Sequence, residues 1–306
     1  VPEDVLELTY KKPIVLLGSC FSDEIGVKLN ESGFDVTSNP FGTLFHPIAI
    51  ANVILSSLNE DKNVLEYKRD DLFFSWDSAS HVYSNSSKDL KEKVISIRND
   101  LREELVAAEA LVITFGTSWG YEHKASGEIV GNCHKAPQND FNKVFTAFDE
   151  MKILWGEVID SLRKLNPNIK IVFTVSPVRH MKDGLVENNR SKARLIELVS
   201  ALIEKNKAFY FPSYEIAIDE LRDYRFYKED MVHPNDLAIN YIWGRFEKFA
   251  FTQGTIEILQ LRQQLVQQLN HKSLHPNSQA EINRVNYLAN KIDDFTEQHP
   301  YVKIIA

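Results

Sequence analysis

An α/β fold built around a mostly parallel sheet is predicted by three observations. From Pro13 to about Trp243, short β-rich runs alternate with longer helical patterns, the order that βα units produce. The clearest of those runs are apolar throughout, as strands covered on both faces are. The chain has 306 residues, 43% of them hydrophobic, enough to bury the core of one large domain or two ordinary ones.

The elements follow in order. Strands are expected at residues 14–17 (Ile-Val-Leu-Leu), 34–37, 111–115, 171–175 and 209–211. Helical spacing places helices between them at residues 22–31, 47–58, 88–108, 139–165 and 189–205. Beyond about residue 250 the chain changes character. Residues 255–269 and 279–296 keep helical spacing but are rich in Gln and Asn, with a break at 271–277. The expected organisation is therefore an α/β domain over residues 1–250 and a C-terminal helical hairpin extension over 251–306, a candidate surface for forming homo-oligomers.

Charge narrows the function. A net charge of −8 and no basic patch argue against nucleic acid or an anionic membrane as the main partner. No apolar segment approaches the roughly 20 residues that span a bilayer. Val1-Pro2-Glu3-Asp4 lacks the order of a secretory leader, so the cytoplasm is the expected compartment. Two cysteines, Cys20 and Cys133, exclude a disulfide framework but leave room for one reversible bridge between them. His, Cys and Asp show no short metal-ligand spacing, so neither a metal nor another cofactor is called for.

The first strand stops at Gly18-Ser19-Cys20-Phe21-Ser22 and a helix follows at once. Such a turn exposes a side chain at the carboxyl edge of a sheet, where unpaired N–H groups of a helix start favour negative charge. Either Ser19 or Cys20 suits a nucleophile there, although Asp23 and Glu24 in the first helical turn oppose a thiolate. The bland alternative is a close packing turn with an inert thiol. Far downstream, Asp230 and His233 stand three residues apart before Pro234, as an oriented general base or as a loop that caps a helix.

Three polar stretches are candidates to line a pocket. They are Asn39-Pro40-Phe41-Gly42-Thr43, Phe115-Gly116-Thr117-Ser118-Trp119 and Gly131-Asn132-Cys133-His134-Lys135. Gly42 offers a backbone N–H and Asn132 a side-chain amide for an oxyanion. His81 and His180 are further pocket candidates, with ordinary hydrogen-bonded structural roles as the alternative.

Taken together, the stretch from Gly18 to Ser22 resembles the signature of the GSCFA domain, a bacterial family related to the SGNH/GDSL hydrolases, with Ser22 where the family has Ala. Asn39–Thr43, Gly116–Trp119, Asn132–Lys135, Ser176–Arg179 and Asp230–Pro234 resemble further blocks of that family, so the likeness covers about residues 10–245. It implies a flavodoxin-like three-layer α/β/α sandwich and an acyl-ester hydrolase or O-acyltransferase acting on a small-molecule or carbohydrate ester. It also implies roles. Asp230 and His233 match an Asp-x-x-His pair, Gly42 matches an oxyanion Gly, and Cys20 rather than Ser19 falls at the nucleophile position. Ser118 stands where an Asn is usual, with Asn132 as its substitute; Asn39, Thr117, His134 and His81 complete the expected substrate-binding set. The alternative is a fold relative that binds a glycan or acyl ligand without turning it over.

Overall fold

In a computed structural model, residues 6–59 and 63–304 are described. A five-stranded parallel sheet forms the centre, built from β1 (Ile14–Gly18), β2 (Val36–Ser38), β6 (Ala110–Phe115), β10 (Lys170–Val175) and β11 (Phe209–Tyr210). Its order is β11-β10-β6-β1-β2. Counted along the chain that is 2-1-3-4-5, the flavodoxin-like order.

Side chains alternate about β1. Val15 and Leu17 face one core with α2 (Pro47–Leu58), α3 (Ser87–Ala107), α4 (Phe148–Leu165) and α5 (Leu185–Asn206). Ile14 and Leu16 face the other, with α1 (Cys20–Glu31) and α7 (Asp236–Ala250). These are the two helical layers of an α/β/α sandwich.

Two small antiparallel sheets were absent from the sequence expectation. One is β3 (Glu66–Arg69), β4 (Leu72–Ser75) and β5 (Tyr83–Ser84); the other is β7 (Trp119–His123), β8 (Glu128–Ile129) and β9 (Phe141–Phe145). The last corrects the helix expected at 139–165, whose helical part begins only at Phe148. Phe141, Val144 and Phe145 imitate helical spacing, but residues 141–145 pair in full with β7. The helix expected at 22–31 starts two residues early, at Cys20, because Ser19 caps it. After β11 a short α6 (Ser213–Glu215) runs into a π-turn at Ile216–Glu220.

The C-terminal helices α8 (Gln253–Leu269) and α9 (Gln279–Gln298) lie on the α1/α7 side. Leu259, Leu265, Leu288 and Phe295 enter the same apolar cluster as Leu8, Phe34 and Phe251. Arg262, 2% exposed, donates to the Lys303 carbonyl (2.6 Å), to the Ile304 carbonyl (3.1 Å) and to Glu31 O at the end of α1. No described helix is long and apolar enough to cross a membrane.

Candidate active site

The strand order reverses between β1 and β6, and open α/β sheets bind ligands outside the carboxyl ends of the strands at that point. Gly18 ends β1 at φ +139°, and a Cβ there would fall 2.2 Å from Thr114 O. Only glycine lets the chain pass so close to β6, and Ser19 N then donates to that same carbonyl at 3.1 Å. The turn is thereby fixed against the sheet.

Ser19 is 1% exposed and its Oγ accepts from Phe21 N at 3.3 Å as the helix cap. Its hydroxyl serves as the helix cap, while Cys20, at the first position of α1, is half-buried and the more accessible side chain of the two. The Cys20 thiol is pushed up, first by burial and then by Asp23 and Glu24, against the opposing pull of its own backbone N–H and of Lys192. It therefore needs a base to ionise at neutral pH.

Asn39 is a clamp. Its Oδ1 accepts from Gly18 N (2.8 Å) and its Nδ2 donates to Asp23 Oδ1 (2.8 Å). Ser38 and Thr43 donate to the same carboxylate at 3.1 and 3.2 Å. Gly42, at φ +79°, admits His81 and Ala79, whose atoms would lie 2.3 and 2.4 Å from a Cβ. Its N–H already donates to Asn39 O at 2.7 Å, so the expected oxyanion donor is engaged in a turn.

The block after β6 also departs from expectation. Thr117 and Ser118 are 4% and 0% exposed and close on Ser191 of α5, whose Oγ accepts from Ser118 N at 2.8 Å. They are a buried latch between loop and helix, not an open pocket wall. His134 is likewise interior at 1% exposure, with Nε2 2.7 Å from Ser75 O and Nδ1 3.2 Å from Ser80 Oγ. Burial pushes its pKa down, so it is a neutral ring packed on Phe74. Asn132 Oδ1 accepts from His134 N at 2.8 Å, while its Nδ2 donates no hydrogen bond among the described residues. His81 is exposed beside Gly42. Cys20 and Cys133 are both free thiols.

Asp230 and His233 form the expected pair. His233 Nδ1 lies 2.6 Å from Asp230 Oδ2, and Asp230 Oδ1 accepts from the backbone N–H groups of Val232 (2.8 Å) and His233 (2.9 Å). Those bonds, the one from the His233 backbone first, hold the carboxyl down at about 2, so it is an anion across the working range. The loop is tied to the same edge: Lys228 Nζ is 3.5 Å from Glu24 of α1, and Arg179 N donates to Val232 O at 3.3 Å.

One residue of this edge escaped the sequence reading. Lys192, 1% exposed, donates to Gly116 O (2.8 Å) and Ser176 O (2.7 Å), joining the ends of β6 and β10. Burial pushes its pKa down to about 7, with Cys20 pulling the other way. Among the described residues no three His, Cys, Asp or Glu side chains gather as a metal site. A cleft of about 590 Å³ between α2 and α3 is lined by residues of those two helices and by neither Cys20 nor His233.

Fold and edge together define a flavodoxin-like α/β/α protein whose first βα turn presents a cysteine. The chain belongs to the GSCFA family, whose profile matches residues 13–246. Among curated proteins none matches it. Among solved structures it is similar to one described as a GDSL-like lipase from Parabacteroides merdae, at 13% identity and TM-score 0.42, over 79% of this chain and 97% of that one. It is also similar to a carbohydrate esterase family 3 protein from Talaromyces cellulolyticus (8%, TM-score 0.37, 82% and 97%). A family two carbohydrate esterase from Clostridium thermocellum, solved with cellohexaose, is similar at 11% (TM-score 0.39, 80% and 64%).

Proposed function

We propose that this protein is an acyl-ester hydrolase or O-acyltransferase that works through a Cys20 thioester. Cys20 attacks the ester carbonyl, His233 takes the thiol proton and passes it to the leaving alcohol, and Asp230 holds the imidazole in place. The oxyanion is assigned to the Cys20 N–H, at the open start of α1, and to Asn132 Nδ2. The observations that support this reading are a half-buried thiol at the N-terminus of α1 and an imidazole held by a carboxylate anion on a loop that Lys228 ties to Glu24 of that same helix. Carbohydrate O-acetyl esters are the proposed substrate class, with the exposed ring of Tyr224 on the approach to the His233 loop as the surface a sugar meets.

The test is intact-mass spectrometry and peptide mapping after incubation with an activated acetyl ester. An acetyl adduct on Cys20 is expected, absent in Cys20→Ser at that position and suppressed at least about a hundredfold in His233→Ala. A second reading, binding without turnover, is favoured by two observations: no hydrogen bond joins Cys20 to His233 among the described residues, and burial pushes the thiol up. No adduct and no ester turnover in the wild type would put that reading first.

A further inference from the structure

The loop after β10 carries a second His–Asp pair with the same spacing. His180 Nδ1 lies 3.0 Å from Asp183 Oδ2, and the His180 backbone N–H donates to Oδ1 of the buried Asn188 at 2.9 Å. The other oxygen of Asp183 is taken by Lys143 Nζ from β9. The two pairs differ in how they are built. The Asp183 side chain is 1% exposed and that of Asp230 is 47% exposed, while the imidazoles of both pairs are open to solvent. With Nδ1–H turned to the carboxylate, His180 Nε2 presents a lone pair that no described residue engages.

The two pairs share one stretch of the edge. Arg179, next to His180, donates from its backbone to Val232 O (3.3 Å) and from Nη1 to Met231 O (3.4 Å), and its guanidinium lies over Tyr227 at 4.3 Å. Loop 176–184 is therefore fastened on one side to the loop of His233 and on the other, through Lys143, to the β7–β9 sheet. An imidazole backed by a buried, cation-held carboxylate and open at its far nitrogen is the construction of a general base. A lock for the loop would not need the open nitrogen.

We propose that His180 takes the proton of the hydroxyl that resolves the acyl-enzyme, leaving His233 to Cys20. This rests on the acyl-transfer reading above. The acceptor oxygen, of water or of a sugar hydroxyl, bonds to the thioester carbonyl carbon while its proton passes to His180 Nε2. Collapse of that intermediate breaks the C–S bond and releases Cys20 as a thiolate, which regains a proton as the His180 imidazolium gives one up to solvent. A thiolate leaves without prior protonation, so the demanding part of this half-reaction is making a weak hydroxyl nucleophilic. The Asp183 anion supports the imidazolium that results.

The experiment follows acetyl-Cys20 by rapid-quench mass spectrometry with an activated acetyl ester, in buffer alone and with added glucose, for wild type, His180→Gln and Asp183→Asn. Glutamine keeps an N–H donor toward Asp183 but cannot carry a proton; asparagine keeps the shape of the carboxylate without its charge. Acetyl-Cys20 is expected to form in His180→Gln within about threefold of the wild-type rate and to clear about a hundredfold more slowly, with Asp183→Asn clearing about tenfold more slowly. The glucose arm names the acceptor: acetyl-glucose marks a sugar hydroxyl and free acetate alone marks water. Clearance at the wild-type rate in His180→Gln overturns the proposal, as does equal slowing of formation and clearance in both variants, which marks a structural lock. If His180→Gln does not fold, Asp183→Asn decides alone by the same split. A wild type that forms no adduct overturns the acyl-transfer reading itself and is distinguishable from the other outcomes because no variant is needed to see it.

Discussion

Lys192 sets a pH dependence that belongs to a single residue. Its amine is taken out of water with two carbonyls for partners and, among the described residues, no carboxylate, and burial lowers its pKa from 10.5 to about 7. The folded chain thus holds this proton less tightly than the unfolded chain. Below pH 7 the cost of burying the charge is fully present; between about 7 and about 10 the unfolded state binds more protons and stability rises with pH. The contribution is at most about 1.4 kcal/mol per pH unit. Urea unfolding at about pH 7 and about pH 9 is expected to show that rise in the wild type and a flatter profile in Lys192→Met. Equal slopes would show that the lysine is not charged by the unfolded chain alone. Sequence gave no access to this residue, because Asn189-Arg190-Ser191-Lys192 reads as the solvent face of a helix and only the tertiary fold turns one of those charges inward. The place of Cys20 was legible for the opposite reason: a strand that ends in Gly-Ser and feeds a helix is set by local chain geometry, and Cys20 opens that helix.

At the scale of elements, the β1–α1 turn is held from outside by the segment that follows β2. Asn39 bonds the last N–H of β1 and the Asp23 carboxylate together, so it couples the strand's end to the first turn of the helix that bears Cys20. Asn39→Ala leaves the buried Gly18 N–H without a partner, and a loss of about 1–3 kcal/mol is expected in chemical denaturation. If the clamp also aligns the thiol, alkylation of Cys20 changes rate in that variant while its overall fold persists. The sequence announced this segment as polar and rigid but assigned it to substrate, since polar side chains facing a ligand and polar side chains facing one another have the same composition. The same limit explains Thr117, Ser118 and His134, whose partners Ser191, Ser75 and Ser80 are distant in the chain or in another loop. Strands β1, β6 and β10 were legible because they lie in the middle of the sheet, covered on both faces. The short strands of the two antiparallel sheets were not, because half-exposed runs of two to five residues carry too little pattern to compete with the helical spacing of their flanks.

For the whole molecule the question is what the C-terminal helices do. Their Gln-rich composition suits an association surface, and exposed Ile282, Val285 and Tyr287 on α9 are the residues such a surface would use. Their inner face, however, completes the core on the α1/α7 side: Leu259, Leu265, Leu288, Phe295 and Val302 are all buried. At about 1.5–3 kcal/mol for each buried apolar side chain, removing them costs an amount comparable with the net stability of a typical domain, about 5–15 kcal/mol. Arg262 adds a polar tie from α8 to the end of α1, and the Lys303 N–H donates to Gly33 O at 2.9 Å, so the segment after α9 is fastened to the α1–β2 turn at Lys303. A chain truncated after Gly254 is therefore expected to lose a single cooperative thermal transition or to melt far below the full protein, measured by circular dichroism. Light scattering on the full chain separates the two uses of the tail. A monomer with a destabilised truncation assigns the helices to the core alone. A dimer that Val285→Glu on the outer face dissociates, without a change in melting temperature, assigns them to both, since a charge placed there meets only the partner copy.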